Sequence, residues 1–450
     1  MNSPSQNRSW PTSTSHTTHT DDAETLQIGV YGLGSAGTAL SVVLSSLNAT
    51  VIAADTDGTR VTELNHGQSP VTDPPIDRLL SKSVDSGALR ATTELPQVAD
   101  EAAVHLITVD TGLRTDDAPD LSALRSTVRD IATGLASGDL VIMASTVPPG
   151  TTSELVGPLL SAESGLSTDE FGLAVGSLPP SPSLQTVRNG DIAVGGADEK
   201  SRRLACSLFS SVTHGSVSSV SNLQTAECLS TFERTIAELS RGLSNELAVA
   251  AAGESIDVPS VIDIASERSP HRIPDAGFDS REPVGSGFLC DSLADQTPIL
   301  DSLYDAASGF PTLIAETVLE ALGEQYTNTL TDDTTVLILG IPTPEEASTA
   351  ARLPATTLIR ELLQAETRPL ICEPTASIPR SLTPHTVSVS TANQLSPAAV
   401  VVLKSRPAFD DLDWSGYDES VVIDCCGGCE LDTEKTTVHR LGTHHTTRQN

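Results

Sequence analysis

Lysine and long apolar runs are what this 450-residue sequence has least of. Four lysines stand among 26 lysine and arginine residues, against 59 aspartates and glutamates, and the formal net charge is −33. A chain this acidic is repelled by the phosphates of nucleic acid and by an anionic membrane surface. We therefore expect neither as a partner. A run of about 18 apolar residues, long enough to span a bilayer, is missing from the sequence. The N-terminus has no basic-then-apolar signal, so a cytoplasmic location is expected.

The scarcity of lysine in an acidic chain has two explanations. A salt-adapted cytoplasm would screen the mutual repulsion of surface carboxylates, and an acidic, lysine-poor surface is typical of that setting. An acidic protein from an ordinary cytoplasm would show the same net charge. We favour the halophilic interpretation because so few of the basic residues are lysines.

Cysteine is sparse and scattered, which argues against a disulfide framework. The seven cysteines are Cys206, Cys228, Cys290, Cys372, Cys425, Cys426 and Cys429. The last three, with His439, His444 and His445 downstream, leave a metal site open. However, the second half of a zinc pattern lacks its usual spacing, and a turn after an apolar strand at 421–423 explains the cluster equally well. No metal site is therefore predicted.

Residues 28–57 have the order of elements that a dinucleotide requires. An apolar strand at 28–31 runs into the turn Gly32-Leu33-Gly34-Ser35-Ala36-Gly37, a helical pattern follows, and a second strand at 50–54 ends at Asp55. Gly32 permits the tight turn, Gly34 lets backbone N–H groups approach a pyrophosphate, and Gly37 lets helix and strand pack closely. The helix N-terminus favours the negative charge through its unpaired donors and its dipole.

The acidic residue in this unit predicts the cofactor. Asp55 stands 23 positions after Gly32, close to the roughly 20-residue offset at which a carboxylate binds the adenosine ribose. A carboxylate there repels the 2′-phosphate of NADP, so NAD is the predicted cofactor. A glycine motif alone could be an ordinary turn, but here strand, helix, second strand and acid all follow in order. The predicted cofactor site includes Gly32, Leu33, Gly34, Gly37 and Asp55.

The rest of the chain is predicted to be α/β. Residues 1–24 are polar and are expected to be a disordered tail. Short apolar strands alternate with helical stretches to about residue 200, which predicts a parallel sheet. One helix at about 225–253, near 43 Å long at about 1.5 Å per residue, is of the kind that bridges domains or forms a dimer seam. Residues 266–310 read as loop-rich, and a second α/β unit begins at 335.

Several segments resemble the UDP-glucose/GDP-mannose dehydrogenase family of nucleotide-sugar dehydrogenases. The most specific is ASTVPPGTT at 144–152, close to the family signature nearly letter for letter. The others are VTELNHGQSPVTDP (61–74), LITVDT (106–111), NELAVAAAGESIDV (245–258), PVGSGFLC (283–290) and LGIPTPEEASTAARLPA (339–355). Together they cover the chain from about residue 26 to residue 442.

The resemblance implies a three-part architecture and a reaction. After the tail, an NAD-binding Rossmann domain would occupy 25–200, a central helical dimerisation region with a cysteine loop 201–310, and a C-terminal UDP-binding-like Rossmann domain 311–445. The partners implied are a UDP-sugar or related nucleotide and, through the central helix, a second copy of the chain. The primary alcohol of the sugar would be oxidised twice. The second hydride requires a thiol, because an aldehyde gives up hydride only after a nucleophile has made it tetrahedral.

Carried over position by position, the resemblance assigns catalysis to Cys290, Thr146 and Asp295. Thr111 and Thr146 join the cofactor site. Asp295 requires a one-residue shift, because the expected position holds Ala294.

Other expected polar residues are replaced. The family's lysine falls on Ser230 and its asparagine on Arg234. Its Pro-Glu motif reads LPPSP at 178–182, its Phe-Lys pair falls on Thr343-Pro344, and its arginine on Ala351, beside Arg352. The glycines and histidine before the cysteine read Gly287, Phe288 and Leu289.

Three functions therefore stay open. The first is an NAD-dependent UDP-sugar dehydrogenase with an altered site. The second is a weak or inactive paralogue that binds NAD and acts as a regulatory or partner subunit. The third is an oxidoreductase that stops after one hydride. The resemblance to the dehydrogenase family favours the first function, and the replaced polar residues favour the other two.

Overall fold

A computed structural model describes most of the chain after residue 25. The described residues are 26–47, 49–69, 74–179, 182–251, 254, 256–269, 273–278, 283–293, 297–325, 334–342, 353–374, 378, 382–417, 420–426 and 437–441. The predicted tail at 1–24 lies outside them. The chain divides into two compact units, Met1–Arg114 with Ala118–Glu233, and Thr115–Asp117 with Arg234–Asn450. The boundaries predicted from the sequence at 200 and 310 stay predictions.

Alternating strands and helices build the first unit. Its strands are β1 (Gln27–Tyr31), β2 (Thr50–Ala54), β3 (Leu89–Thr92), β4 (Val104–Ile107), β5 (Gly112–Leu113), β6 (Pro119–Asp120), β7 (Leu140–Met143), β8 (Gly172–Ser177), β9 (Ile192–Gly196) and β10 (Val217–Ser219). Its helices are α1 (Ser35–Ser45), α2 (Gly58–Asn65), α3 (Pro74–Asp85), α4 (Leu95–Glu101), α5 (Ser122–Gly134), α6 (Gly157–Ser164), α7 (Leu184–Asn189) and α8 (Glu199–Val212), with a π-helical turn at Thr152–Val156.

In the described part of this unit, eight strands form one sheet in the order β10-β9-β8-β7-β4-β1-β2-β3. Its central strands are buried on both faces between two apolar clusters, which is why they read as continuous apolar runs rather than alternating ones. The strand order reverses between β1 and β4, and in open α/β sheets a ligand binds at that switch point, outside the carboxyl ends of the strands.

One strand departs from the predicted parallel sheet. β9 pairs antiparallel with β8, whereas the other neighbouring strands of this sheet pair in parallel. A parallel pair needs a crossover connection, usually a helix of substantial length. The link from β8 to β9 holds the six-residue helix α7, and the chain turns back after it.

A second parallel sheet forms the core of the second unit. Its strands are β11 (Thr335–Leu339), β12 (Arg368–Cys372), β13 (Ala399–Val402), β14 (Val421–Asp424) and β15 (Thr437–Arg440), in the order β12-β11-β13-β14-β15. The helices are α9 (Leu223–Ala250), which begins in the first unit, α10 (Val258–Arg268), α11 (Val284–Ser292), α12 (Pro298–Gln325), α13 (Pro354–Gln364) and α14 (Val389–Ala392). Short 3₁₀ turns lie at Thr383–His385, Pro407–Phe409 and Trp414–Tyr417.

The two sheets confirm the predicted α/β class, with an N-terminal Rossmann unit and a second Rossmann-like sheet. The long helix is also present, and its 28 residues span about 42 Å. The loop-rich interpretation of 266–310 is wrong, because α11 and the first half of α12 lie there. None of the helices in the described ranges combines the length and the hydropathy needed to span a membrane.

Candidate active site

The turn after β1 has the geometry that the glycine motif predicts. Gly32 has φ +106°, and its N–H donates to the Ala54 carbonyl of the neighbouring strand at 2.8 Å. A Cβ on Gly32 would lie 2.7 Å from the Thr108 carbonyl oxygen, and one on Gly37 would lie 1.8 Å from the Gly32 carbonyl oxygen. A side chain on Gly32 would collide with the backbone that follows β4, and one on Gly37 would push helix α1 away from the turn, so this turn requires glycine at both positions.

Helix α1 begins at Ser35, directly behind this turn. Gly34 is its N-cap residue and has extended backbone. Since glycine has no side chain, it cannot cap the first N–H groups as serine or aspartate would. An anion can therefore approach this helix end along the backbone, and the residues present fit a pyrophosphate.

Asp55 follows the last residue of β2 and faces the same turn. Its Oδ2 accepts the Leu33 N–H at 2.7 Å and its Oδ1 accepts the Asp57 N–H at 2.8 Å. These bonds fix the carboxylate at the carboxyl end of β2, where the ribose of a dinucleotide would lie. The structure thus brings Gly32, Leu33 and Asp55 together, as the sequence predicts.

Thr111 and Thr146 also meet at this edge of the sheet. The Thr111 hydroxyl donates to the Thr146 carbonyl at 2.5 Å. One residue follows β4 and the other follows β7, and these strands are neighbours. The Ser145 hydroxyl donates to the Val109 carbonyl at 2.7 Å, which ties the same two loops together.

A corner of the same kind recurs in the second unit. Gly340 has φ +70°, and its N–H donates to the Cys372 carbonyl at the end of β12 at 3.0 Å. The Ile341 N–H donates to Glu373 Oε2 at 2.8 Å. Arg406 donates to the same carboxylate oxygen through Nε at 3.1 Å and Nη2 at 2.9 Å. This carboxylate is fully buried, whereas that of Asp55 is 11% exposed.

Cys290 lies on α11, so the predicted cysteine loop is wrong. Pro283 precedes the helix, and the prolines and glycines here suited a loop prediction. The helix forms because a carboxylate from another element caps its first turn: Glu238 of α9 accepts the N–H groups of Gly285 and Ser286, each at 2.9 Å. Negative charge is stabilising at a helix N-terminus.

The surroundings of the Cys290 thiol do not favour a thiolate. Burial, followed by a hydrogen bond to Asp301 and the charge of Asp301, raises the pKa of the thiol to about 12, while a hydrogen bond with Thr297 acts in the opposite direction. Because the thiolate is the nucleophilic form, a cysteine with this pKa is almost wholly protonated at pH 7. Asp295, the predicted third catalytic residue, lies outside the described residues.

The part of the chain that contains the predicted dinucleotide site matches a known family. Residues 26–213 match the model of the UDP-glucose/GDP-mannose dehydrogenase family, NAD binding domain. The match identifies this part of the chain as an NAD-binding domain of that family. NAD is therefore the cofactor of the first unit.

Curated relatives carry nucleotide-sugar dehydrogenase names. The UDP-N-acetyl-D-mannosamine dehydrogenase of Pyrococcus horikoshii is 31% identical over 257 residues, which are 56% of this chain and 60% of that protein. The NDP-N-acetyl-D-galactosaminuronic acid dehydrogenase of Ralstonia nicotianae is 26% identical over 420 residues, 90% of this chain and 97% of that protein.

Solved structures share the fold. The UDP-D-ManNAc dehydrogenase from Pyrococcus horikoshii matches with a TM-score of 0.77 and 22% identity, over 93% of this chain and 99% of that chain. A UDP-glucose dehydrogenase from Pyrobaculum islandicum matches with a TM-score of 0.74 and 20% identity, over 91% and 96% of the two chains.

Ser230 is the position at which the resemblance predicts a lysine. Its hydroxyl donates to the Ser177 hydroxyl at 2.7 Å, and Ser177 is buried on β8. Two neutral groups satisfy each other at this position, so no positive charge is available there to stabilise a developing oxyanion.

Arg234 is the position at which the resemblance predicts an asparagine, and its guanidinium is paired with a carboxylate on the same helix. Its Nε donates to Glu238 Oε1 at 3.0 Å, one helical turn along α9. Glu238 is the residue that caps α11, so the pair connects α9 to the helix that carries Cys290. Sequence reasoning missed Glu238, although opposite charges at i and i+4 on a helix were a usable signal.

Glu227 is a second buried carboxylate that the sequence did not single out. It is 1% exposed, and it accepts the N–H groups of Gly150 and Thr152 at 2.6 and 2.7 Å. Burial raises the pKa of this carboxyl above its usual value, against the lowering effect of those hydrogen bonds. Glu227 thereby fixes the loop at 144–152, the signature loop, to the start of α9. This loop contains Thr146.

Other predicted positions lie outside the described residues. They are Pro180 and Ser181 of the LPPSP segment, Thr343-Pro344, Ala351, Arg352, and the metal candidates Cys429, His444 and His445. In the described part of the chain, no group of three or more His, Cys, Asp or Glu side chains is placed to hold a metal ion.

The second unit also contains a cavity of about 100 Å³. Its lining includes Glu238, Arg241, Asn245, Phe278 and Tyr304, from α9, α12 and the segment before α11. It combines aromatic rings with charges of both signs, and it lies beside the capped N-terminus of α11. Such a mixture suits a ligand with a flat ring and a polar part.

Proposed function

We propose that this chain is an NAD-dependent nucleotide-sugar dehydrogenase that oxidises the primary alcohol of a UDP-sugar toward the uronic acid, for glycan precursor synthesis. The NAD cradle of the first unit, within the family match at 26–213, is the observation that carries the proposal. The names of the curated relatives support the substrate class.

The site residues described above have the following proposed parts in this reaction. Bound NAD would accept the hydride. The signature loop, held by Glu227, positions Thr146 beside Thr111 at the cofactor edge of the sheet. Cys290 is the proposed thiol for the second oxidation. We further propose that the cavity at Arg241 and Tyr304 holds part of the nucleotide.

The geometry also favours a second candidate, an NAD-binding paralogue with little or no turnover that acts as a partner or regulatory subunit. The observation in its favour is the environment of Cys290 and Ser230: a protonated thiol beside Asp301, and a neutral hydroxyl in place of an ammonium. Loss of one oxyanion donor costs about 3 kcal/mol or more, which is at least a hundredfold in rate.

NADH production discriminates the candidates. The full chain is assayed at high salt with NAD and UDP-glucose, UDP-N-acetylglucosamine or UDP-N-acetylmannosamine. A dehydrogenase forms NADH slowly with at least one sugar, and Ser230→Lys should increase the rate tenfold or more. NAD binding without NADH from any sugar, in wild type and in Ser230→Lys, would overturn the dehydrogenase proposal in favour of the second candidate. Rapid formation of two NADH per sugar, abolished by Cys290→Ser, would show that other residues replace the lost ones.

A further inference from the structure

Helix α11 takes its N-terminal cap from another helix. Pro283 is the residue at its N-cap position, and proline has no polar side chain to accept the first N–H groups. Glu238 of α9 accepts them instead. Its Oε1 accepts the Gly285 N–H and its Oε2 accepts the Ser286 N–H, each at 2.9 Å. The Ser286 hydroxyl donates to the same Oε2 at 3.1 Å, so one carboxylate binds three donors at the start of this helix.

Glu238 is itself held in place by a charged neighbour. Its side chain is 10% exposed, and Arg234 Nε donates to its Oε1 at 3.0 Å. Arg234 therefore orients the carboxylate toward α11. Rotation of Glu238 away from α11 would break these four hydrogen bonds together.

The sequence of α11 does not favour a helix by itself. Gly285 and Gly287 are two of its nine residues, and glycine loses more conformational freedom on folding than any other residue. Burial of the apolar side chains of α11 opposes this cost. Since Pro283 supplies no cap, we expect the segment at 283–290 to lose its helical form when the carboxylate of Glu238 is removed.

The helical form also determines the surroundings of the Cys290 thiol. Cys290 is on the last turn of α11, near Thr297, Asp301 and Asp305. Burial first, and then Asp301 and Asp305, raise the pKa of the thiol to about 12, while Thr297 acts in the opposite direction. Loss of the helix would carry the thiol away from these acids and into water, where a cysteine has a pKa of about 8.5.

We propose that Glu238 is a positioning residue for Cys290: by capping α11 it keeps the thiol buried beside Asp301, where the thiol is unreactive. The segment at 283–290 then has two states, a capped helix with an unreactive thiol and an uncapped loop with a reactive one. The proposal rests on the proposed function in taking Cys290 as the thiol of the second oxidation. Alkylation of this thiol needs neither NAD nor a sugar, so it tests the positioning role even if the chain has no turnover.

The rate at which iodoacetamide alkylates Cys290, followed by mass spectrometry of peptides from the full chain, tests the proposal. Glu238→Ala should increase the rate at pH 7 at least tenfold, and the rate should level off above about pH 9, as it does for an ordinary thiol. In wild type the rate should still be rising at pH 10. Glu238→Ala with Pro283→Ser should return the rate toward that of wild type, because a serine at the N-cap accepts the exposed N–H groups through its own hydroxyl.

Further variants separate the cap from other effects. Arg234→Leu removes the ion pair but leaves the cap, and it should change the rate less than Glu238→Ala does. Glu246→Ala, at an exposed glutamate of the same helix, is the matched control and should have no effect. Glu238→Gln keeps one acceptor oxygen and serves if Glu238→Ala does not melt cooperatively. An unchanged rate and pH profile in folded Glu238 variants, or an increase that Pro283→Ser does not reverse, would overturn the proposal.

Discussion

Cys290 has surroundings unlike those of a nucleophilic cysteine. A nucleophilic cysteine usually has a cation or a helix N-terminus beside it, and the pKa of its thiol is lowered. Cys290 lies near the C-terminal end of α11 and beside Asp301, and the pKa of its thiol is raised to about 12. Its reactivity should therefore follow the hydroxide concentration over the whole accessible pH range.

Alkylation measures this directly. The rate of Cys290 modification by iodoacetamide, followed by mass spectrometry of the full chain, should rise about tenfold per unit from pH 7 to pH 10 without levelling, because the thiolate fraction grows in that proportion. Asp301→Asn removes the neighbouring charge and should increase the rate several-fold at each pH. Asp263→Asn, an exposed position on α10, is the matched control and should have no effect. A plateau below pH 9 would contradict the assigned environment.

Gly34 permits a second test at the scale of single residues. Gly34→Val places a branched side chain at the N-cap of α1, where the pyrophosphate must approach the backbone. NAD binding, measured by calorimetry at high salt, should fall at least tenfold. Gly309→Val is the control, because a side chain there meets open space in the second unit. Equal binding by wild type and Gly34→Val would show that the cofactor lies elsewhere.

The cofactor corner was predictable from the sequence because its requirements are local. Gly32, Gly37 and Asp55 are fixed by a turn, a helix start and a strand end within 24 residues, and each has a spacing rule. Glu238 was not predictable in the same way. It caps α11 from 47 residues away, and such a contact depends on how α9 and α11 pack.

At the scale of elements, α11 illustrates the same limit. Two glycines and a preceding proline in residues 283–290 favour a loop by propensity. Tertiary capping by Glu238 and burial of Val284, Phe288 and Leu289 outweigh that propensity, and the segment is helical. The strands β3 and β10 give little apolar signal in the sequence, because polar residues fill half or more of their positions.

Helix α9 carries an exposed apolar stripe that fits the dimer implied by the resemblance. Phe232, Ile236, Leu243 and Leu247 are 50%, 44%, 63% and 37% exposed, at spacings of four, seven and four residues. These spacings place the four side chains on one face of the helix. We propose that a second copy of the chain covers this face through the same helix.

The mass of the particle tests the dimer. Light scattering after size exclusion at high salt should give twice the chain mass of 46.9 kDa. Ile236→Asp with Leu243→Asp should give the mass of one chain, because a charge is costly in an apolar interface. Ile299→Asp, on α12, is the control at a similarly exposed apolar residue and should remain dimeric. A monomeric wild type, or a dimer that survives the double change, would rule out this interface.

At the scale of the whole molecule, net charge should dominate the response to salt. At a net charge of −33, carboxylates repel one another over distances set by the Debye length, which falls from about 30 Å at 0.01 M salt to about 3 Å at 1 M. The melting temperature should therefore rise throughout a series from 0.1 to 3 M KCl. The same series at pH 4.5, close to the sequence pI of about 4.4, should give a smaller shift, because the net charge is near zero. A flat or falling melting temperature at pH 7 would contradict the halophilic interpretation.

The two strand-end corners bear on how such a chain can change over evolutionary time. At 32 and at 340, a glycine with positive φ leaves a strand, and the acid that ends the neighbouring strand holds the next backbone N–H. A Cβ at 340 would lie 2.0 Å from the Lys404 carbonyl oxygen, so folding alone preserves that glycine, whether or not a nucleotide binds beside it. Part of a nucleotide fingerprint is thus a condition for folding, and a descendant that loses its ligand would still carry it. Positions that folding does not constrain in this way, such as 230, would change first after a loss of activity.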